Sequence, residues 1–204
     1  MAKLVLRLAV GICISAAMMA GCLKEGKTAD LAGRRILLIV SEEDFRDSEL
    51  TDPRDYFLKA GASVEVASTD PSRATGVGGL SLNPDLGLEQ ANAANYDAVV
   101  FVGGPGSKTY LWNSQTAAEL AKDAYESQKV VAAICLSPVV LARAGILQGV
   151  TATGFNDGEL KDELQEAGAN YTGREVEVDG RIVTANGPAA AKDFAAAIAE
   201  ILRG

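Results

Sequence analysis

Val130-Val131-Ala132-Ala133-Ile134-Cys135-Leu136-Ser137-Pro138 is the stretch that decides the fold. Its first five residues are all apolar and do not alternate with polar ones. A run of that length and kind is buried on both faces, as the central strands of a parallel sheet are. Arg35–Val40 (RILLIV) and residues 98–102 (AVVFV) share the pattern. Residues 63–67 (SVEVA) alternate and belong nearer an edge. Helical stretches fall between these runs. Residues 47–60 stop at Gly61, 136–144 at Gly145 and 157–167 at Gly168, each glycine suited to the left-handed turn that ends a helix. Residues 114–127 open on a capping side chain and carry Ala117, Leu120, Ala121 and Ala124 at helical spacing. Residues 176–178 and 182–184 flank the turn Asp179-Gly180, and a helix over 189–202 closes the chain. Strand and helix alternate with no internal repeat. The expected architecture is a single three-layer α/β sandwich with a mostly parallel sheet and helices on both faces.

Composition narrows the chemistry. Hydrophobic residues make up 48% of the 204, enough for a sizeable core. Lys plus Arg number 19 against 27 for Asp plus Glu, a net charge of −8. An acidic chain without a basic cluster argues against nucleic acid as a partner. Histidine is absent. No Ser-His or Cys-His pair can form within the chain, and no histidine-ligated metal site. Neither a metal nor an organic cofactor is expected.

Residues 1–21 read as an export signal. Lys3 and Arg7 supply the positive start, and 8–19 is an apolar run too short to span a bilayer. Met19-Ala20-Gly21-Cys22 resembles a bacterial lipobox. The resemblance implies cleavage before Cys22 and lipid attachment there, with 22–33 as a flexible tether and 34–204 as the folded domain. The protein is then expected to be exported and lipid-anchored, on a periplasmic or cell-surface face. Cys13 leaves with the signal and Cys22 is lipidated. Cys135 remains the only free thiol, so no intrachain disulfide is expected.

Ligands of open parallel sheets bind outside the carboxyl ends of the strands. Three loops qualify. After Ile134 the strand runs straight into a helix with Cys135 at the junction, the geometry of a nucleophile elbow. A helix N-terminus there favours the thiolate. A buried structural cysteine would fit the same position. After Val102 comes Gly103-Gly104-Pro105-Gly106-Ser107-Lys108-Thr109, which lacks both glycines required of a phosphate loop. It reads instead as a tight turn whose N–H groups face the cysteine, or as a turn alone. After Val40 come Glu42, Glu43, Asp44, Arg46, Asp47 and Glu49. A glutamate buried beside the sulfur would have a raised pKa and stay protonated.

Phe45-Arg46-Asp47-Ser48-Glu49-Leu50 with Pro53, then Gly103-Gly104, Ala133-Ile134-Cys135 with Pro138, and Val183-Thr184-Ala185-Asn186-Gly187-Pro188 together resemble the ThiJ/PfpI superfamily. That family includes the parkinsonism-associated protein deglycase and intracellular protease-like members. The resemblance implies a class I glutamine amidotransferase-like, flavodoxin-like fold and a homodimer or larger homo-oligomer. It implies Cys135 as the reactive cysteine, Glu49 as its hydrogen-bonding partner and the N–H groups of Gly104 and Leu136 as oxyanion donors. Gly103, Arg46, Pro138 and Asn186 are expected around the pocket. Protease-like members follow the cysteine with His and carry Glu where Arg46 stands. Leu136 and Arg46 therefore disfavour peptidase activity. Asn186 stands where the deglycase branch often has Arg.

The expected function is a glyoxalase- or deglycase-like hydrolase or lyase, with a small reactive carbonyl or its adduct on a protein amine as substrate. The alternatives are a redox-sensing or chaperone-like stress protein that oxidises Cys135, and a ligand-binding member without turnover.

Overall fold

The computed structural model describes residues 31–204. The segment 1–21 expected to be a signal, Cys22 and most of the expected tether lie outside the described residues. Seven strands form the main sheet: β1 (Arg35–Val40), β2 (Ser63–Ser68), β3 (Leu86–Gly87), β4 (Ala98–Phe101), β5 (Val130–Ile134), β6 (Val176–Asp179) and β7 (Ile182–Ala185). Their spatial order is β6-β7-β5-β4-β1-β2-β3. Every pair is parallel except β6 with β7, the hairpin read at Asp179-Gly180. Leu38 sits between Val66 and Val100, and Ala133 between Phe101 and Thr184.

The three apolar runs are the sheet's centre, as their lack of alternation requires. Ile36 to Val40 and all of β4 and β5 are fully buried. Helices cover both faces. α1 (Asp47–Lys59) packs against α5 (Ala191–Arg203); α2 (Gln115–Glu126) packs against α3 (Pro138–Arg143), which meets α4 (Gly158–Glu166). The buried face of α5 is Ala191, Phe194, Ala195, Ile198, Ala199 and Leu202, at spacings of three and four. Ala117, Leu120, Ala121 and Ala124 form the buried face of α2, and the Ser114 hydroxyl accepts its Ala117 N–H at 3.2 Å.

Two local features differ from the sequence reading. α3 starts at Pro138 rather than Leu136, because residues 135–137 are taken up in turning the chain out of β5. Leu31, expected at the end of the tether, is fully buried and its N–H donates to Ala60 at 2.8 Å. The packed chain thus begins before Arg34. A small sheet of Glu43–Phe45, Ala74–Gly76 and Ser81–Leu82 was not legible, since its strands are too short to show a period.

The topology places the site. From β1 the chain moves to β2 and β3 on one side, then returns through β4 on the other. The loops leaving β1 and β4 diverge there, opening a crevice at the carboxyl edge. β5 is the next strand along, so its exit loop borders the same crevice.

Leu31→Ala should destabilise the protein by about 2–4 kcal/mol, the usual loss for a buried leucine truncation. Denaturant unfolding of the wild type and variant checks this. Equal midpoints would place Leu31 in a loose tether after all.

Candidate active site

Cys135 holds a left-handed backbone, with φ +62°. For a residue with a side chain this is strained by about 1–3 kcal/mol. Tertiary hydrogen bonds hold it. Its N–H donates to Ala185 at the end of β7 at 2.9 Å, and its carbonyl accepts from the Phe155 N–H at 2.8 Å. The turn aims the side chain into the crevice, where it is only 4% exposed. The N–H groups of Gly104 and Leu136 donate to the sulfur.

Glu49 reaches the sulfur from the other side. It lies in the first turn of α1, where the helix end favours an acidic group, and it is fully buried. Oε2 accepts the Gly103 N–H at 3.1 Å. Oε1 makes no hydrogen bond, and the carboxyl as a whole interacts with the Cys135 thiol. Pro53, four residues on within the helix, has no N–H to give the Glu49 carbonyl.

The glycine turn permits this approach. A Cβ on Gly103 would lie 2.5 Å from Cys135 Cβ, from Glu49 Oε2 and from the Ile134 carbonyl. Gly104 has φ +117°, and a Cβ there would meet the backbone of Asp44 and Arg46 at 2.4–2.5 Å. Arg46 joins the two loops through its backbone: its N–H donates to the Gly103 carbonyl at 2.8 Å, and its carbonyl accepts the Glu49 N–H at 3.0 Å. Asp47 ties the same loop to the small sheet. Burial raises its pKa, but N–H donation from Gly78 and Leu80 at 2.7 and 2.8 Å outweighs this and holds it below the usual range.

Burial pushes the Glu49 carboxyl up to about 7, while Cys135, the Arg46 guanidinium and the Gly103 N–H pull it down. Burial, then the charge and hydrogen bond of Glu49, pushes the Cys135 thiol up to about 12 against the two N–H donors. The pair therefore titrates as a unit, losing one proton near pH 7 and the second near pH 12. Between those values it holds one proton and one negative charge. The donors expected to favour a thiolate are in place, yet desolvation and Glu49 outweigh them. α3 contributes a weak helix end, being only six residues long.

Of the expected pocket residues, Gly103 and Arg46 support the Glu49 carboxyl. Pro138 is buried at the start of α3, two residues past Leu136. Asn186 alone lines the open cavity beside the cysteine, about 570 Å³ in volume, with Gly154, Phe155, Lys161, Tyr171 and Pro188. Cys135 is not part of that lining. It touches the cavity wall through Phe155, whose N–H it accepts. Sequence reasoning missed the clamp on the elbow. The Trp112 indole donates to the Leu136 carbonyl at 2.7 Å, the Ser137 hydroxyl donates to the Val102 carbonyl at 2.7 Å, and Ser107 lies 2.8 Å from Ser137. Ser107 and Trp112 come from the turn over Ser107–Leu111 and its end, Ser137 from the elbow itself, and no motif marks them. Among the described residues no cluster of His, Cys, Asp and Glu could hold a metal ion.

The family model described as the DJ-1/PfpI family matches residues 34–201. A deglycase of Pyrococcus abyssi is 36% identical over 74% of this chain and 90% of its own. A glutathione-independent glyoxalase of Caenorhabditis elegans is 28% identical over 85% of this chain and 91% of its own. The crystal structure of a ThiJ/PfpI domain protein from Brachyspira murdochii superposes with a TM-score of 0.78 at 38% identity, covering 82% of this chain and 95% of that one.

The Glu49 shift has a stability consequence with a definite sign. A carboxyl raised from 4.5 to about 7 on folding favours the protonated form in the folded state. Its contribution is whole below pH 4.5, is lost as pH rises from 4.5 through 7, and stays lost above that. Glu49→Gln removes the penalty and should stabilise the protein by about 3 kcal/mol at pH 8, with little effect at pH 4. Unfolding midpoints at the two pH values measure this, and a gain independent of pH would contradict it.

Proposed function

The chain belongs to the DJ-1/PfpI family, and from that premise we propose that it is a cysteine-dependent enzyme acting on small reactive carbonyls, or on their early adducts with protein amines. One observation carries the reading: a buried carboxylate faces the Cys135 thiol while two backbone N–H groups donate to the same sulfur. The relatives named deglycase and glyoxalase support it.

With methylglyoxal the chemistry runs as follows. Sγ bonds to the aldehyde carbon as the thiol proton passes to Glu49. The carbonyl oxygen becomes an alkoxide beside the N–H groups of Gly104 and Leu136, and takes the proton back from Glu49. Glu49 then removes the hydrogen from the former aldehyde carbon as a proton and delivers a proton to the neighbouring carbon, while the hydroxyl proton on the first carbon passes to the former ketone oxygen. That carbon is reduced as the first is oxidised, so no outside oxidant enters. The product is a lactate thioester on Cys135, which water cleaves to lactate and the free thiol. A base near pH 7 suits these transfers, and no histidine is required.

Cys135→Ser should lose methylglyoxal turnover to lactate by roughly a thousandfold, and Glu49→Gln by roughly a hundredfold or more. The wild-type kcat/KM should climb as pH rises through about 7, where the pair loses its first proton. Equal methylglyoxal loss in wild type and Cys135→Ser would overturn the cysteine-dependent reading.

We further propose that residues 1–21 direct export and that Cys22 carries the lipid anchor. The support is the charged start, the short apolar run and the small residues before Cys22. Expressed in a bacterial host, the wild-type protein should fractionate with membranes, and Cys22→Ser should move to the soluble fraction. If the two partition alike, the anchor is not on Cys22.

A further inference from the structure

The open cavity beside Cys135 has an electrostatic character that the reaction of a neutral dicarbonyl does not use. Among the described residues Lys161 of α4 is its only charged lining residue, and no carboxylate lines it. The rest of the polar lining is amide and phenol: Asn156, Asn186 and Tyr171. Lys161 is half-buried. Its ammonium donates to the Asn156 side-chain carbonyl and lies 5.7 Å from the Tyr171 ring centre. Neither contact neutralises it, and among the described residues it forms no ion pair. The contrast with Lys108 is direct. Lys108 is bound by Asp157 at 3.0 Å and Glu159 at 2.9 Å, and so has no charge to spare. The protein as a whole carries −8, so an unpaired cation in a carboxylate-free hollow runs against its surroundings.

The cavity wall is also mechanically joined to the cysteine. The Tyr171 hydroxyl donates to the Gly154 carbonyl at 3.2 Å. Phe155, next in sequence, donates to the Cys135 carbonyl, and Asn186 follows the Ala185 that accepts the Cys135 N–H. The hollow thus borders the elbow that carries Cys135, and a substrate bonded to the sulfur would enter it by extending past Phe155.

We infer that Lys161 makes the cavity a subsite for the anionic end of the substrate, so that the preferred carbonyl compounds carry a carboxylate or phosphate. Asn156 holds the ammonium in place, and Asn186 and Tyr171 supply neutral polar contacts around the same group. An ammonium meeting an anion in a partly dried pocket forms a charge-assisted hydrogen bond, worth roughly a tenfold preference or more.

This deepens the proposed dicarbonyl chemistry and rests on it, and two measurements keep the two apart. The first compares 4,5-dioxopentanoate with its methyl ester as substrates; both undergo the same internal transfer, and only the acid is charged. Wild type should favour the acid in kcat/KM by about tenfold, Lys161→Gln should bring the ratio near one, and Lys161→Arg should restore it. The second measures calorimetric binding of levulinate, which has no aldehyde, to Cys135→Ser protein. Binding should weaken about tenfold when Lys161→Gln is added. Turnover with an acid-to-ester ratio that ignores Lys161 overturns the subsite and leaves the enzyme reading standing. Lysine-dependent levulinate binding without dicarbonyl turnover does the reverse. Levulinate binding unaffected by Lys161→Gln overturns the subsite whatever the turnover.

Discussion

The left-handed turn at Cys135 is the constraint around which the site is organised. A residue with a side chain avoids φ +62° unless its surroundings hold it there. Here the Ala185 carbonyl takes its N–H and the Phe155 N–H takes its carbonyl, so the turn is stitched to β7 and to the segment before α4. That single conformation ends β5, delays α3 to Pro138 and swings the sulfur towards the loops of β1 and β4. Every other feature of the site answers to it. Gly103 lacks a side chain because the cysteine and Glu49 occupy the space one would need. Trp112 and Ser137 fix the two peptides that follow.

The second constraint is electrostatic. Placing a glutamate fully out of water costs free energy once it ionises, and the fold bears that cost near neutral pH. In return it has a base poised near pH 7 in a chain that contains no histidine. The compensation is local. The Gly103 N–H satisfies one carboxylate oxygen, and the Arg46 guanidinium and the Cys135 thiol favour the charged form, while the other oxygen makes no hydrogen bond. The proposed role of Glu49 as a base and the stability of the fold are thus set against each other at one side chain. Such conflict between local stability and arrangement is characteristic of functional positions.

Much of the fold was legible because burial leaves a periodic trace. The three runs without alternation came out as β1, β4 and β5 at the sheet's centre, and the residues at helical spacing in α2 formed its inner face. The edges were less legible. β3 has two residues, and the small sheet is built from pieces of two and three, so no period can accumulate. Leu31 was assigned to a tether because its neighbours are polar and small; its burial depends on the groove beside Ala60, which lies far along the chain.

By itself, the sequence determined the layered α/β architecture, the three loops that border the crevice and the absence of any histidine-based mechanism. It also marked Cys135, Gly103 and Gly104, because strand exits and glycine turns are local events with local signatures, whereas Glu49 stood out from the other loop carboxylates only through the resemblance to the ThiJ/PfpI superfamily. Only the tertiary structure decided how these groups act on one another. That Glu49 is fully buried, that its carboxyl meets the Gly103 N–H 54 residues away and interacts with the Cys135 thiol, and that desolvation outweighs two N–H donors all follow from how distant loops pack together. The charge of Lys161 is equally a matter of three dimensions. The sequence shows a lysine on an acidic helix, and only the packed fold shows that its neighbours leave it unpaired over the cavity. Periodicity records which side of an element meets the core, but desolvation and charge pairing depend on what stands opposite.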